Sequence, residues 1–180
     1  IIISNVEEIK NITNFQKIEQ VDYTKMDAQV NYIILTSKKF LQTNQGTEAI
    51  NDYVNYRKSS EGGAYKVNVV YTEDIYNQFG FGIEYHSIAI RNFFQYTRTI
   101  WPNVKFALFI GKGLHYAAAR NNPTDQSTYM FVPTYGYPGA DYLMVSDIAR
   151  KPFYAMGRIP SLDGKGLLEY LSKVKGHESV

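Results

Sequence analysis

Hydrophobic residues follow two kinds of spacing along the chain from residue 30 onward. A short continuous apolar run, typical of a strand buried on both faces, occupies residues 32–36, and mostly apolar runs that predict two further strands occupy residues 65–71 and 104–110. Between these runs, apolar residues recur every three to four positions over residues 49–54 and again over 90–101. That spacing places them on one face of an amphipathic helix. The pattern therefore predicts strands that alternate with helices.

Strands separated by helices are typical of parallel βαβ units, whose right-handed crossovers place helices on both faces of the sheet. We therefore expect an α/β fold, a three-layer sandwich with a mostly parallel sheet. Thr72–Phe79 is predicted to form a short helix, and Ser87 to cap the next helix, which Pro102 ends. A last helix is predicted from four apolar residues that share one face: Leu167, Leu168, Leu171 and Val174.

The remaining segments lack this regularity. Residues 1–29 are polar with isolated apolar residues, and we interpret them as a linker or edge segment from a preceding region, followed by one α/β domain over residues 30–180. Residues 114–127 are predicted to form a long polar loop that turns at residues 121–123. Three short strands are then expected, at residues 131–132, 142–145 and 153–156.

The amino-acid composition excludes several kinds of functional site. The chain has 180 residues and no cysteine, which excludes a disulfide framework, a thiolate zinc site, an iron–sulfur cluster and a cysteine nucleophile within this chain. The formal net charge is +2, from 19 basic and 17 acidic residues, so we expect no nucleic-acid surface. We expect no membrane span either, because no run approaches the roughly 20 apolar residues that cross a bilayer.

In an open α/β sheet, ligands bind at the carboxyl ends of the strands, which here would be followed by loops at residues 36–39, 72–74, 111–116 and 146–147. The turn Gly111-Lys112-Gly113 could hold a phosphate with backbone amides and a lysine, or serve as a tight exit from the strand. It lacks the spacing of a P-loop, which favours the tight turn.

The titratable residues suggest no complete catalytic site. His115 lies at the expected ligand-binding edge, whereas His86 lies near a helix start and His177 in a polar tail, and no pair has metal-ligand spacing. Asp141 and Asp147 flank a short apolar run and could bind a cation or a basic substrate group, or form turns at strand ends.

Several segments, in chain order from about residue 30 to residue 178, resemble the gingipain-type cysteine peptidases. The stretch over residues 72–80, followed by Ala89-Ile90-Arg91, is the most specific of them. The others are residues 30–36, 69–71, 92–93, 108–111, 132–135, 146–147 and 157–160. Within the family, these segments are most similar to the PorU-type sortases of the type IX secretion system.

The resemblance implies a caspase-like α/β module made of two side-by-side subdomains, of which this chain would be the N-terminal one, with flavodoxin-like topology. The family's His-Cys dyad belongs to the second subdomain, so no residue of this chain is expected to be catalytic, and His177 should not be taken for the catalytic histidine. The expected partners are that catalytic C-terminal subdomain and a polypeptide substrate. The expected location is extracytoplasmic, at the cell surface or outer membrane.

Three further expectations follow from the resemblance. Asp147 matches the position of the acid that meets a basic P1 side chain in arginine-specific members, so it is the candidate substrate-binding residue. No cofactor is expected, and the calcium of the family is not assigned here because Lys112 replaces an acidic residue after the strand-ending glycine. Two alternatives stay open: a non-catalytic α/β scaffold or binding module, and a flavodoxin-like nucleotide-binding domain.

Overall fold

The computed structural model describes residues 17–114 and 116–179. Its centre is a four-stranded, all-parallel sheet in the order β2-β1-β3-β4. The strands are β1 Tyr32–Thr36, β2 Val67–Tyr71, β3 Phe106–Ile110 and β4 Ala155–Ile159. The helices are α1 Lys38–Leu41, α2 Gly46–Lys58, α3 Thr72–Phe79, α4 Ser87–Ile100, α5 Tyr116–Asn121, α6 Pro123–Tyr129 and α7 Gly164–Glu178.

Alternate residues of the central strands supply two separate hydrophobic cores. On one face, Ile33, Leu35 and Phe109 pack with α3 and α4. On the other face, Ile34 and Ile110 pack with α1, α2 and α7. Both central strands are therefore buried on both sides, which explains why they read as continuous apolar runs. The architecture is the predicted α/β sandwich, and the strand order agrees with flavodoxin-like topology.

The polar segment before β1 contacts the first core. Tyr23, in a 3-10 turn at Tyr23–Lys25, is buried and its ring centroid lies 5.0 Å from that of Phe93. Gln78 of α3 exchanges two hydrogen bonds with the backbone of Val21, donating from Nε2 to its oxygen and accepting its N–H at Oε1. The division of the chain at residues 1–29 and 30–180 stays a prediction.

Four local predictions are wrong. Residues 114–127 are not a polar loop throughout, because α5 and α6 lie there and Pro123 occupies the first position of α6, where its missing N–H costs nothing. Residues 142–145 form a 3-10 turn, Asp141–Val145, rather than a strand. Residues 131–132 form no strand, and the last strand is centred on Gly157 instead of residues 153–156.

No helix within residues 17–114 and 116–179 combines the length and the apolar character needed to cross a membrane.

Candidate functional site at the carboxyl edge of the sheet

The carboxyl ends of all four strands meet at one edge of the sheet, because the strands are parallel. The chain leaves β1 towards β2 on one side, and β3 lies on the other side of β1, so the strand order reverses at this point. Ligands of open α/β sheets bind at such a reversal. Here the hydroxyl of Thr36, fully buried at the end of β1, donates to the carbonyl of Ile110 at the end of β3 across 2.9 Å.

The carboxylate of Glu73 connects the loops after β1 and β2 through hydrogen bonds. Glu73, in the first turn of α3, accepts a hydrogen bond of 2.5 Å from Ser37 Oγ and one of 2.8 Å from the backbone N–H of Lys38. Ser37 also caps α1 by accepting from the N–H of Lys39. The acid therefore supplies acceptors to a helix start whose N–H groups have no intrahelical partners. We refer to this cluster as the Glu73 network.

A cavity of about 190 Å³ lies next to the Glu73 network and contains an unpaired hydroxyl. Tyr76 is 4% exposed, and its Oη has no hydrogen-bond partner among the described residues. Burial raises the pKa of Tyr76, so this hydroxyl stays protonated at neutral pH. Lys39 also lines the cavity, and burial lowers its pKa although Glu73 and Glu84 oppose that change.

The guanidinium of Arg158 connects the loop after β3 with the segment before β4 through hydrogen bonds. Arg158 of β4 donates from Nη1 to the carbonyls of Gly111 and Val132, at 3.0 and 2.9 Å, and from Nη2 to the carbonyl of Pro133 at 3.1 Å. Its Nε lies 2.5 Å from Asp141 Oδ2, and both side chains are largely buried. The buried carbonyls of this edge are thus paired with one planar set of donors. We refer to this cluster as the Arg158 network.

A second cavity, of about 330 Å³, opens between α4, α6 and the segment over residues 130–137. Its lining is mostly apolar and includes Tyr85, Leu114, Met130 and Pro133. Tyr137, 72% exposed, stands at its border. Cavities of this size and polarity accept apolar groups.

Gly111-Lys112-Gly113 is a tight turn whose first amides are occupied. Gly111 adopts φ +122°, and a Cβ there would lie 2.6 Å from the Cβ of Phe131. The N–H groups of Gly111 and Lys112 donate to the carbonyls of Ile159 and Ser161. Neither amide is free to bind a phosphate, which argues against the nucleotide-binding alternative.

The histidines have different positions. His86, rather than Ser87, is the N-cap of α4: its Nδ1 accepts a hydrogen bond of 3.1 Å from the N–H of Ala89. His177 is exposed in the last turn of α7. His115 lies outside the described residues. No cysteine exists to pair with any of them.

The two aspartates also differ. Asp141 belongs to the Arg158 network. Asp147 begins a turn: its Oδ1 accepts the N–H of Lys151 at 2.9 Å, and its carbonyl accepts the N–H of Arg150 at 3.1 Å. Among the residues the structure describes, no group of three acidic, histidine or cysteine side chains is placed to hold a metal ion.

Comparison with known protein families adds one decisive observation. The model of peptidase family C25 matches residues 25–179, most of the chain. The chain belongs to peptidase family C25. This is the gingipain family of cysteine peptidases, and its members act on polypeptides. Separate comparisons with curated proteins and with solved structures found no match.

The sequence pattern predicts the carboxyl edge of the sheet, but it does not predict the two side chains whose hydrogen bonds hold the loops together at this edge. Arg158 and Glu73 both lie in segments that resemble the family, but the sequence pattern predicts no role for either side chain. Three of the hydrogen bonds of Arg158 end on backbone carbonyls, and one ends on the Asp141 carboxylate. Backbone acceptors leave no residue-type signal, so only the fold could reveal this role.

Proposed function

We propose that this chain is the N-terminal subdomain of the catalytic module of a C25 peptidase, a PorU-type sortase of the type IX secretion system. The parent would act outside the cytoplasm, at the cell surface or outer membrane, and cleave C-terminal sorting signals from exported proteins. The proposal is supported by one observation above all: the family match spans residues 25–179 of a chain that has no cysteine. A cysteine peptidase of this family needs its thiol elsewhere in the parent protein.

In this proposal the chain shapes the substrate site without performing chemistry. A thiolate of the second subdomain attacks the scissile carbonyl, its histidine partner protonates the leaving amine, and the acyl group passes to water or to another amine. The present chain provides one wall of the substrate site, held by the Glu73 and Arg158 networks and containing the two cavities described above. It is inactive by itself because no thiol is present.

The gene of the parent protein provides the first test. A cysteine and a histidine encoded within roughly 100 residues after Val180, a typical domain length, support the sortase. Replacing that cysteine with alanine should abolish cleavage of a sorting-signal substrate by the full parent protein. A parent without such a pair would instead support the second candidate, a non-catalytic α/β binding module, which the missing cysteine also favours.

We further propose that Asp147 meets the basic P1 side chain of the substrate. One of its oxygens holds the turn at Lys151, and the other has no hydrogen bond among the described residues. Asp147→Asn keeps the acceptor for Lys151 and removes the charge. In the full parent, this change should lower kcat/KM for a basic P1 residue about tenfold, the value of one charged hydrogen bond, relative to a neutral P1 residue. Equal ratios for the two substrates would reject this role.

A further inference from the structure

A pocket of about 270 Å³ lies beside the turn at residues 147–151 and is framed by two arginines. Arg91, on α4, and Arg150, in the turn, face it together with the apolar side chains of Leu143 and Ile148 and with Tyr135. Neither arginine belongs to the Glu73 or Arg158 networks. We refer to this pocket as the Arg91 pocket.

The guanidinium of Arg91 is oriented but not neutralised. It lies over the ring of Tyr135, 6.0 Å from the centroid, and makes two long contacts of 3.4 Å with the Tyr135 hydroxyl and the Asp147 carbonyl. In the described part of the chain, no carboxylate oxygen lies within 4.0 Å of Arg91 or Arg150. The positive charge at the pocket therefore lacks a counter-ion among the described residues.

The backbone holds Arg150 in an unfavourable conformation. The turn is closed by hydrogen bonds from the N–H groups of Arg150 and Lys151 to Asp147 and by an isolated bridge between Ser146 and Pro152. Arg150 has φ +62°, a left-handed conformation that glycine adopts with little strain and a long side chain does not. Strained residues of this kind cluster where a side chain has a binding task.

Two further cations lie on the same elements but do not line the pocket. Arg98 lies two turns after Arg91 on α4, with its guanidinium 4.9 Å from the ring centroid of Phe153. Lys151 follows Arg150 directly, and Asp147 is the one acid of the turn. Ile148 is 96% exposed at the pocket, an unusual state for an isoleucine. Unpaired guanidinium groups beside exposed apolar surface fit an acidic residue with an apolar neighbour.

We propose that the Arg91 pocket binds an aspartate or glutamate side chain of a polypeptide, with Leu143 and Ile148 contacting an apolar residue next to it. The planar donors of arginine match a carboxylate in geometry and charge. The choice of a polypeptide over other anions rests on the proposed function, whereas the preference for an anion rests on the pocket itself. This acidic residue occupies a different position from the P1 residue assigned to Asp147.

The test is a titration of the full 180-residue chain with two blocked peptides, Ala-Val-Glu-Leu-Ala and Ala-Val-Gln-Leu-Ala. NMR signals of the arginine Nε–Hε groups report the site directly. The glutamate peptide should bind at least about tenfold more tightly than the glutamine peptide, as expected for a hydrogen-bonded charge, and should shift Arg91 and Arg150. Added salt should reduce the difference.

Variants separate a binding role from a structural one. Arg91→Lys keeps a charge but loses the planar donors, and Arg150→Met removes a guanidinium that has no ion pair among the described residues; each should reduce the preference for glutamate about tenfold. Arg98→Met, on the same helix, is the matched control and should keep the preference. Arg150→Gly should lose the preference while raising the melting temperature, because it relieves the backbone strain.

Three results would overturn the assignment: equal binding of the two peptides, an unchanged preference in Arg91→Lys and Arg150→Met, or an Arg150→Gly variant that is stabilised and still prefers glutamate. A response to inorganic phosphate that exceeds the response to the glutamate peptide would reject the polypeptide and indicate a phosphate site. Failure of the parent to cleave sorting signals would leave these titrations unchanged, so the two proposals can fail separately.

Discussion

The Glu73 and Arg158 networks lie at opposite ends of the same sheet edge. One supplies hydrogen-bond acceptors to backbone donors, and the other supplies donors to backbone acceptors. At the β1–β2 end, a carboxylate accepts from a hydroxyl and from the N–H groups of a helix start. At the β3–β4 end, a guanidinium donates to carbonyls that have no strand to pair with. In each network the charged side chain has the sign that suits the backbone groups, a carboxylate for N–H groups and a guanidinium for carbonyls.

The two networks differ in how easily water could replace them. Lys38, whose N–H donates to Glu73, is exposed, so solvent can reach this donor. Gly111, Val132 and Pro133, whose carbonyls accept from Arg158, are all buried. An unpaired polar group is costly only where water is excluded. The Arg158 network should therefore contribute more to stability, and the predictions below test this difference.

The largest effect is expected for Arg158→Met. The change leaves buried carbonyls unpaired and Asp141 without its partner, so the free energy of unfolding should fall by about 3–5 kcal/mol. Urea denaturation of the full chain measures it. Arg150→Met removes the same group from an exposed position and should change stability by at most about 0.5 kcal/mol. Similar losses in the two variants would contradict the special role of Arg158.

A smaller effect is expected for Glu73→Ala. The donors at the start of α1 keep Ser37 as a partial cap and gain access to water, so the loss should be about 1–2 kcal/mol, the usual value of a helix cap. Glu84→Ala is the control, because Glu84 is exposed and accepts no hydrogen bond from the part of the chain that the structure describes. A loss equal to that of Arg158→Met would remove the distinction between the two networks.

Thr72 connects the networks, and its effect should be smaller again. Its buried hydroxyl lies 3.2 Å from Glu73 Oε2 and 3.5 Å from the carbonyl of Phe131, the neighbour of Val132. Thr72→Val keeps the shape and removes this hydroxyl, which should cost about 1 kcal/mol. Combining it with Glu73→Ala should add less than the sum, because both remove the same bond. Full additivity would show that the hydroxyl serves Phe131 alone.

Much of the fold could be predicted from the chain because burial on both sides leaves a plain signal. β1 and β3 appear in the sequence as apolar runs, β2 as a mostly apolar run interrupted by Asn68, and α2, α4 and α7 as apolar faces at helical spacing. The sequence pattern does not locate the last strand correctly, because Gly157 and Arg158 are not apolar. Residues 142–145 form a 3-10 turn although their sequence predicts a strand, because a short apolar run is equally compatible with a strand and with a partly buried helical turn.

The candidate site was much less predictable. Its edge follows from parallel strands, so the loops after β1, β2 and β3 were expected at the correct place. The role of Arg158 depends on carbonyls from segments 25 to 47 residues away, and that of Arg91 on a turn 56 residues later. Contacts between residues so far apart in the sequence are set by the topology of the fold rather than by local spacing. The positive φ of Arg150 is likewise invisible in the sequence.

The smallest effect is expected at a third ionic contact, which lies between α2 and α7. Glu178 accepts hydrogen bonds from Tyr56 Oη at 2.6 Å and from Arg57 Nη1 at 3.1 Å, but its side chain is 34% exposed. Burial opposes ionisation of Glu178, yet these hydrogen bonds outweigh it and hold its pKa below the ordinary 4.5. A depressed pKa of an acid stabilises the fold above the unfolded-state pKa, and this stabilisation is lost as the pH falls through the folded-state pKa.

Glu178→Gln should therefore lower the free energy of unfolding by about 0.5 kcal/mol at neutral pH, an amount reduced by solvent screening. The difference from the unmodified chain should shrink as the pH falls below 4.5 and vanish once Glu178 is protonated in the folded state. Urea denaturation across this pH range measures it, with Glu169→Gln, at an exposed position of the same helix, as the control. A difference that stays constant with pH would mean that Glu178 acts through packing. In that case, the contrast between buried and exposed ionic contacts would rest on Arg158 alone.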